Sequence, residues 1–379
     1  MEDLLRCAYV LPKKNRRCRM LVKEGNIYCG EHAVHSAKNE SRILCPNDPK
    51  HTVIREELKK HLKKCNARVI EKPWIVENIN AMVKETKSFE KIDRRPTVEE
   101  IEAVMVKIDL CYGRIEADIA KEVLSIPEIE AAKIEAVGPD RKKELAQLSS
   151  IIGHAQQNKV LMNSSDNVVV ELGAGKGYLT YWMSKKAPRA HYLLVDRSGM
   201  RNKYDNRAQH EDPTVSFTRL RCSVEHLDLA SVPALKDAKH AAITWKHLCG
   251  SGTDAAIRCF RTGHERGLPI EGFILAPCCN HKSRIDEYCG LAFLEVNDLA
   301  SAGDFAALRH AATWATCGFE EGEEVKEEDR DKLRRGRMAK KILEYGRAEY
   351  LRSLGYECRL VEYIESSVTP ENMLLVGSR

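Results

Sequence analysis

The chain has 379 residues, 43% of them hydrophobic, and a net charge of only +5. That length suits two or three domains with room for one large core. No apolar run approaches the ~18 residues that span a bilayer, and residues 1–17 are polar and basic with no apolar leader, so a soluble intracellular protein is expected and a membrane protein is excluded. The modest charge hides local clusters at Lys13-Lys14, Arg16-Arg17 and Arg19, at Lys59-Lys60 and Lys63-Lys64, and at Arg334-Arg335, Arg337 and Lys340-Lys341. Such runs suit a polyanion or form a solvated helix face. Acidic residues across 320–328 separate them, so any nucleic-acid surface is expected to be local.

The first 66 residues hold five of the fourteen cysteines and four histidines. In an intracellular chain these are not expected as disulfides. Two sets of four emerge: Cys7, Cys18, Cys29 and His32, spaced C-x10-C-x10-C-x2-H, and Cys45, His51, His61 and Cys65, spaced C-x5-H-x9-H-x3-C. Each supplies the four ligands of a closed tetrahedral zinc site. Cys29/His32 and His61/Cys65 lie three and four apart, so one helical turn aims both members at a single ion. The segment is too poor in large apolar residues to fold as two modules without metal. His35 is read as a bystander. Two zinc fingers are therefore expected, over 1–36 and 42–68.

A linker carrying Trp74 follows over 72–80. Residues 81–161 read as a helical connecting region, heavily charged, with apolar residues three and four apart as in Val98-Glu-Glu-Ile-Glu-Ala-Val-Met-Val. Pro96, Pro127 and Gly138-Pro139 punctuate it. These helices either cover a sheet or bridge the fingers to it.

From 162 to 379 strand and helix alternate. Strands are expected at 167–172, 191–196, 215–221, 240–245 and 271–276, and helices at 178–186 and 252–264. That alternation implies a parallel sheet with ligands at the strand carboxyl ends. A long charged helix over 325–354 precedes strands at 357–365 and 372–377, which suit an antiparallel edge pair.

The most informative stretch is Val168-Val-Val-Glu-Leu-Gly-Ala-Gly-Lys-Gly177. A buried β-branched strand runs through Glu171 into glycines 173, 175 and 177, where backbone rather than side chain must approach a ligand. The next apolar run ends in Asp196, about 20 residues on, where a carboxylate grips a ribose diol. Tyr178 occupies the place of the third glycine of a dinucleotide fingerprint. A nicotinamide oxidoreductase is the rival reading, but the strand-final acid with this glycine spacing looks like motif I of Rossmann-type S-adenosylmethionine methyltransferases.

Two polar cartridges fall at predicted strand ends: Trp245-Lys246-His247-Leu248-Cys249-Gly250-Ser251-Gly252-Thr253-Asp254, and Ala276-Pro277-Cys278-Cys279-Asn280-His281-Lys282. Methyl transfer needs an in-line nucleophile and a destination for its proton. Lys246, His247 and His281 are the candidate base or steering groups. Asp254 caps the next helix or orients a base. Cys278, Cys279 and His281 with Cys249 and Cys289 form a third metal site, or a cysteine nucleophile, or a pair of packed small residues.

Over nearly its whole length the chain resembles the eukaryotic tRNA 2'-O-methyltransferases that modify the ribose of nucleotide four in the acceptor stem. The resemblance runs through both finger sets, Glu171-Leu-Gly-Ala-Gly-Lys-Gly177, Lys246-His-Leu-Cys-Gly250 to Thr253-Asp254, Cys278-Cys279-Asn280-His281, Gly346-Arg347 and Thr369-Pro370-Glu371-Asn372. It implies an α/β fold, a Rossmann-type methyltransferase sheet behind N-terminal zinc fingers. It implies S-adenosylmethionine as methyl donor, two structural zinc ions, and tRNA for glycine, proline or histidine as partner, modified at cytidine or adenosine; neither membrane nor DNA is expected. Glu171, Gly173, Gly175, Gly177 and Asp196 would meet the cofactor. Ser223 stands after strand three, where many such enzymes place an acid on the adenine, and the Lys-Asp-Lys-Glu tetrad of other ribose methyltransferases is not evident. A different class of function, an RNA-binding zinc-finger protein with an inactive methyltransferase-like scaffold, is the alternative.

Overall fold

The computed structural model describes residues 6–11, 15–36, 41–65, 67–68, 72–81, 95–199, 203–316 and 327–379. Lys13-Lys14, 82–94 of the helical region and most of the acidic run 320–328 lie outside these residues. The chain divides into two compact units, Met1–Lys72 and Pro73–Arg379.

In the first unit, β1 (Val10–Leu11) pairs antiparallel with β2 (Arg16–Arg17), and a 3-10 turn follows at Gly30–His35. Then β3 (Arg42–Cys45) pairs with β4 (Asp48–Ile54), and α1 (Leu58–Lys64) closes the module. The core of its first half is little more than Cys7, Cys18 and Cys29 with Tyr9, Val22 and Tyr28 packed around them. So small an apolar nucleus cannot offset the conformational entropy of ordering the segment. The two halves are joined by polar contacts. The Thr52 amide donates to Glu31 at 3.0 Å and Thr52 Oγ1 donates to the Gly30 carbonyl at 3.3 Å.

The second unit opens with a docked segment. Asn80 Nδ2 donates to the Val224 and Leu227 carbonyls, and the Asp228 amide donates to the Trp74 carbonyl at 2.9 Å. The tract read as a linker is thus anchored to the sheet domain over most of its length. Next come α2 (Val98–Ile115), β5 (Ile119–Lys121), α3 (Pro127–Glu135) and α4 (Pro139–Gln157). Thr97 and Glu100 start α2 with a reciprocal capping box. The sheet strands and their helices follow as β6 (Asn167–Leu172), α5 (Tyr178–Lys186), β7 (His191–Asp196), α6 (Tyr204–Glu211), β8 (Ser216–Arg221), α7 (Pro233–Lys236), β9 (His240–Cys249), α8 (Ser251–Glu265) and β10 (Ile270–Cys278). The chain ends with α9 (Leu291–Val296), α10 (Ala302–Thr313), α11 (Glu327–Ser353), β11 (Glu357–Glu362) and β12 (Met373–Ser378).

One eight-stranded sheet runs in the order β5-β11-β12-β10-β9-β6-β7-β8. The β6–β10 strands are parallel, while β12 runs antiparallel between β10 and β11. The expected antiparallel pair forms, but it is not the edge, because β5 adds parallel to β11 outside it. Apolar runs are continuous because both faces are covered. Val168, Val170, Leu193, Val195, Ile243 and Trp245 meet α2, α8, α10 and α11, whereas Val169, Tyr192, Leu194 and Ala242 meet α3, α4 and α5. The described helices of the region 81–161 therefore do cover the sheet, α2 on one face and α3 and α4 on the other. Its strand β5 also extends it. Among the described residues no helix is long and apolar enough to cross a membrane.

Candidate active site and metal centres

Strand order reverses at β6, whose neighbours are β7 on one side and β9 on the other. At such a switch point the flanking loops part and leave a crevice outside the strand carboxyl ends. Into it run the glycine turn after β6, Asp196 at the end of β7 and the extension of β9.

The glycine turn has positive φ at Gly173 (69°), Gly175 (51°) and Gly177 (78°). The three do different work. A Cβ on Gly173 would lie 2.6 Å from Leu248 Cδ1, so this glycine admits the β9 extension. A Cβ on Gly177 would lie 2.7 Å from Leu194 and 2.9 Å from Arg219, so this one admits the sheet. A Cβ on Gly175 would meet nothing within 4 Å. Gly175 faces open space, the room a ligand needs.

Asp196 holds the turn in place. Its Oδ2 accepts from the Gly175 amide at 2.8 Å, and its Oδ1 accepts from the Ser198 amide at 2.7 Å. A carboxylate offers about four acceptor positions, so two remain for hydroxyl groups. Arg219 and Asp205 had no signal in the sequence, yet they complete the turn. Arg219 donates to the Gly175 carbonyl at 2.8 Å and forms a fork with both oxygens of Asp205 at 3.0 and 2.8 Å. The amide and carbonyl of Gly175 are thus fixed from β7 and β8.

Glu171 lies beneath the turn rather than in it. It is buried and accepts from the amide and hydroxyl of Thr180. Burial pushes its carboxyl up to about 7. Ser223 donates to Glu225, and the preceding Cys222 amide donates to the Asp196 carbonyl at 3.1 Å, which sets this loop beside the β7 end.

Lys246 and His247 lie at the β9 end. Burial lowers the Lys246 ammonium, against the opposing attraction of Glu144 and Glu171. His247 occupies a bulge: Lys246 pairs with Ala276 and Leu248 with Pro277, leaving His247 as the extra residue at φ 64°. A bulge re-aims one side chain at the rim of a sheet. The His247 ring is solvent-exposed, yet surrounding protein lowers it to about 4, with Lys246 adding to the effect. His281 is not with them. It lines a separate cationic cleft with Arg95, Lys282, Arg284, Arg309 and His310, and its Nδ1 is buried without a hydrogen-bond partner among the described residues.

The two cartridges are welded together by Arg347 of α11. Its guanidinium donates to both oxygens of Asp254, to Asn280 Oδ1 at 2.7 Å, to Ser283 Oγ at 2.8 Å and to Glu344 at 2.9 Å. Asp254 therefore orients structure, and also accepts from the Cys289 amide at 3.1 Å. That contact places Cys289 away from Cys249, Cys278 and Cys279, whose sulfurs lie within 4.8 Å of one another. Part of the late basic run is also engaged within the domain: Lys340 pairs with Glu371, Lys341 with Glu362 and Arg335 with Asp109.

In the first unit, both predicted ligand sets converge. The ligand atoms of Cys7, Cys18, Cys29 and His32 lie within 4.8 Å of one another, as do those of Cys45, His51, His61 and Cys65. In the second set the separations are 3.2 Å for Cys45–His61, 3.2 Å for His51–His61, 3.6 Å for Cys45–Cys65 and 3.7 Å for Cys65–His51. A tetrahedron about zinc has edges of roughly 3.3–3.8 Å, given metal–ligand bonds of about 2.0–2.3 Å. Asp48 lies 3.8 Å from the outer nitrogen of His51, where an orienting carboxylate belongs. His35 instead stacks on Tyr9 at 4.5 Å, with His32 on the same ring at 4.0 Å. Both clusters fit structural zinc.

The family model described as Methyltransferase TRM13 matches residues 146–378. A CCCH zinc finger of TRM13 proteins matches 5–33, and a U11-48K-like CHHC zinc finger matches 42–66. A mouse protein named tRNA:m(4)X modification enzyme TRM13 homolog is 30% identical over 98% of this chain and 94% of its own length. Its human counterpart is 29% identical over the same shares, and the TRM13 enzyme of Eremothecium gossypii is 28% identical over 99% and 95%. These names correct the sequence reading. They specify an m(4)X product, not a ribose 2'-O-methyl group, so the 2'-O-methyltransferase assignment falls. They also name enzymes, which leaves the inactive-scaffold alternative without support. Sequence motifs located the glycine turn but carried no information on which acceptor atom is methylated.

Proposed function

The chain belongs to the TRM13 methyltransferase family, and from that premise we propose that it uses S-adenosylmethionine to methylate tRNA, giving a product of the m(4)X type. The observation that carries this reading is the Gly175 turn, open on its outer side and fixed to Asp196 and Arg219. Bound there, S-adenosylmethionine supplies an electrophilic methyl group on a sulfonium. Asp196 would accept the ribose hydroxyls, Gly173, Gly175 and Gly177 would let backbone approach the cofactor, and Ser223 would stand on the adenine side. Glu171 supports the turn from below through Thr180.

A nucleotide nitrogen that gains a methyl group must lose a proton. His247, neutral at physiological pH because its surroundings lower it to about 4, is the group we assign to receive it. A weakly basic imidazole passes the proton on to water readily. Lys246 steers the acceptor beside it. His281 lies elsewhere and serves tRNA through the cationic cleft, where Lys282 and Arg309 offer phosphate contacts. The zinc-finger unit (1–36 and 42–68) carries the exposed Lys59, Lys60, Lys63 and Lys64 on α1. They suit the phosphates of an acceptor stem, whose A-form geometry hides its base edges in a deep groove. Residues 81–161 belong to the support of the methyltransferase domain at 162–379.

The test is incubation with total tRNA and isotopically labelled donor, then nucleoside mass spectrometry. A label retained on the base after glycosidic cleavage supports the proposal. A label that leaves with the sugar, or no transfer to tRNA, overturns it.

A further inference from the structure

The β9 and β10 ends bring together three thiols that the methyl-transfer reading does not use. Cys249 and Cys278 are direct neighbours in the parallel register, with sulfurs 3.3 Å apart, and Cys279 completes a set whose sulfurs all lie within 4.8 Å. The same span encloses each of the finger ligand sets. Adjacent cysteines in extended backbone point to opposite faces and cannot chelate one ion. Here Cys279 adopts φ 54°, ψ 44°, the left-handed region that non-glycine residues enter at a cost of about 1–3 kcal/mol. That turn swings its sulfur back toward Cys278. The Gly250 amide donates to the Cys278 carbonyl at 3.2 Å and ties the two strand ends together. Strain, convergence and a tied frame are what a preformed chelate requires.

We propose that Cys249, Cys278 and Cys279 bind a third zinc ion through three thiolates, with the fourth tetrahedral position taken by exchangeable water on the exposed Cys249 side. Three soft sulfur donors suit zinc, and an incomplete ligand set leaves one position open. Loading is balanced by loss of one proton from each thiol, so one Zn2+ releases three protons and leaves a cluster of net charge −1. Two cations lie within electrostatic reach of it, Lys246 acting on Cys278 and Lys282 on Cys279. The ion would clamp the β9 extension, which carries His247, to the turn that carries Asn280 and His281. This inference stands apart from the choice of methyl acceptor, because it needs only the sulfur positions.

The experiment is native mass spectrometry of the full chain, expressed with supplementary zinc and purified reduced without chelator. Wild type is expected to carry three zinc ions. Cys249→Ser, at an exposed position where serine disturbs no packing, should carry two, as should Cys249→Ser/Cys279→Ser. A finger variant, Cys7→Ser/Cys18→Ser, should also carry two, and combining it with Cys249→Ser should leave one. Two zinc ions in wild type and no loss on Cys249→Ser would overturn the proposal. So would two zinc ions with a mass two daltons low, which would mean a Cys249–Cys278 disulfide.

Discussion

The Arg347 guanidinium holds both carboxylate oxygens of Asp254, at 3.0 and 2.7 Å, with neither side chain reaching solvent. Residues nearly a hundred positions apart thus fix how the β9–α8 and β10 loops meet. Removing one partner of a buried pair leaves the other charge uncompensated, which costs more than the pair contributes. Arg347→Ala should therefore destabilise the domain by about 3–5 kcal/mol in urea unfolding. Arg347→Lys should recover little of it, because an ammonium cannot reproduce a fork that also serves Asn280, Ser283 and Glu344. Full stability in the lysine variant would show that charge alone matters there.

The glycines of the cofactor turn should separate by function. Gly177→Ala places a methyl group against Leu194 and Arg219 at φ 78°, and should cost about 2–4 kcal/mol of stability. Gly175→Ala meets only open space and pays only for its φ of 51°, about 1–2 kcal/mol. Its larger effect should be on ligand: calorimetry should show affinity for S-adenosylmethionine reduced about tenfold or more, which is roughly 1.4 kcal/mol. Unchanged affinity in Gly175→Ala would mean that the cofactor does not approach this backbone.

Local patterns were legible and distant partnerships were not. The zinc ligand sets and the glycine turn are written in short spacings, and the parallel strands in apolar runs, so β6 and β7 fall where the pattern puts them. Arg219 and Asp205 show no such pattern, because β8 and α6 bring them together only in the folded sheet. Arg347 reads as one more charge on a charged helix until Asp254 and Asn280 are seen around it. Likewise Lys340 and Lys341 look like a polyanion patch, yet Glu371 and Glu362 occupy them. Three residues, Ile119–Lys121, are too few to announce the edge strand β5 by alternation.

His247 should trade stability against function. At φ 64° glycine fits without strain, so His247→Gly should stay within about 1 kcal/mol of wild-type stability while losing most turnover. A β-branched side chain cannot adopt this conformation cheaply, and His247→Val should cost about 1–2 kcal/mol. Affinity for S-adenosylmethionine should change little in either. Because the ring protonates only near 4, turnover at saturating substrates should stay flat from pH 8 down to about 6 as far as this group decides it. A limb centred near an ordinary histidine value, abolished in His247→Gly, would contradict a lowered imidazole.

Glu171 gives stability a dependence on pH whose sign is fixed. Burial pushes its carboxyl up to about 7 in the fold, against the ordinary 4.5 of an exposed glutamate in the unfolded chain. Between those values the folded state binds the extra proton. The stabilisation linked to that proton is complete below about pH 4.5 and is lost as pH rises through 7. For a fully buried group the difference amounts to about 3 kcal/mol, at 1.36 kcal/mol per pH unit. Glu171→Gln keeps an oxygen to accept from the Thr180 amide and hydroxyl but cannot ionise. Urea unfolding at pH 5 and pH 8 should show the variant gaining on wild type by about 2.5 kcal/mol between the two. The absolute stability of Glu171→Gln does not matter to this comparison, since any packing defect of the amide cancels between the two pH values. An equal pH response in both proteins would mean that Glu171 is ionised in the fold at pH 5, with Arg219 and Lys246 outweighing its burial.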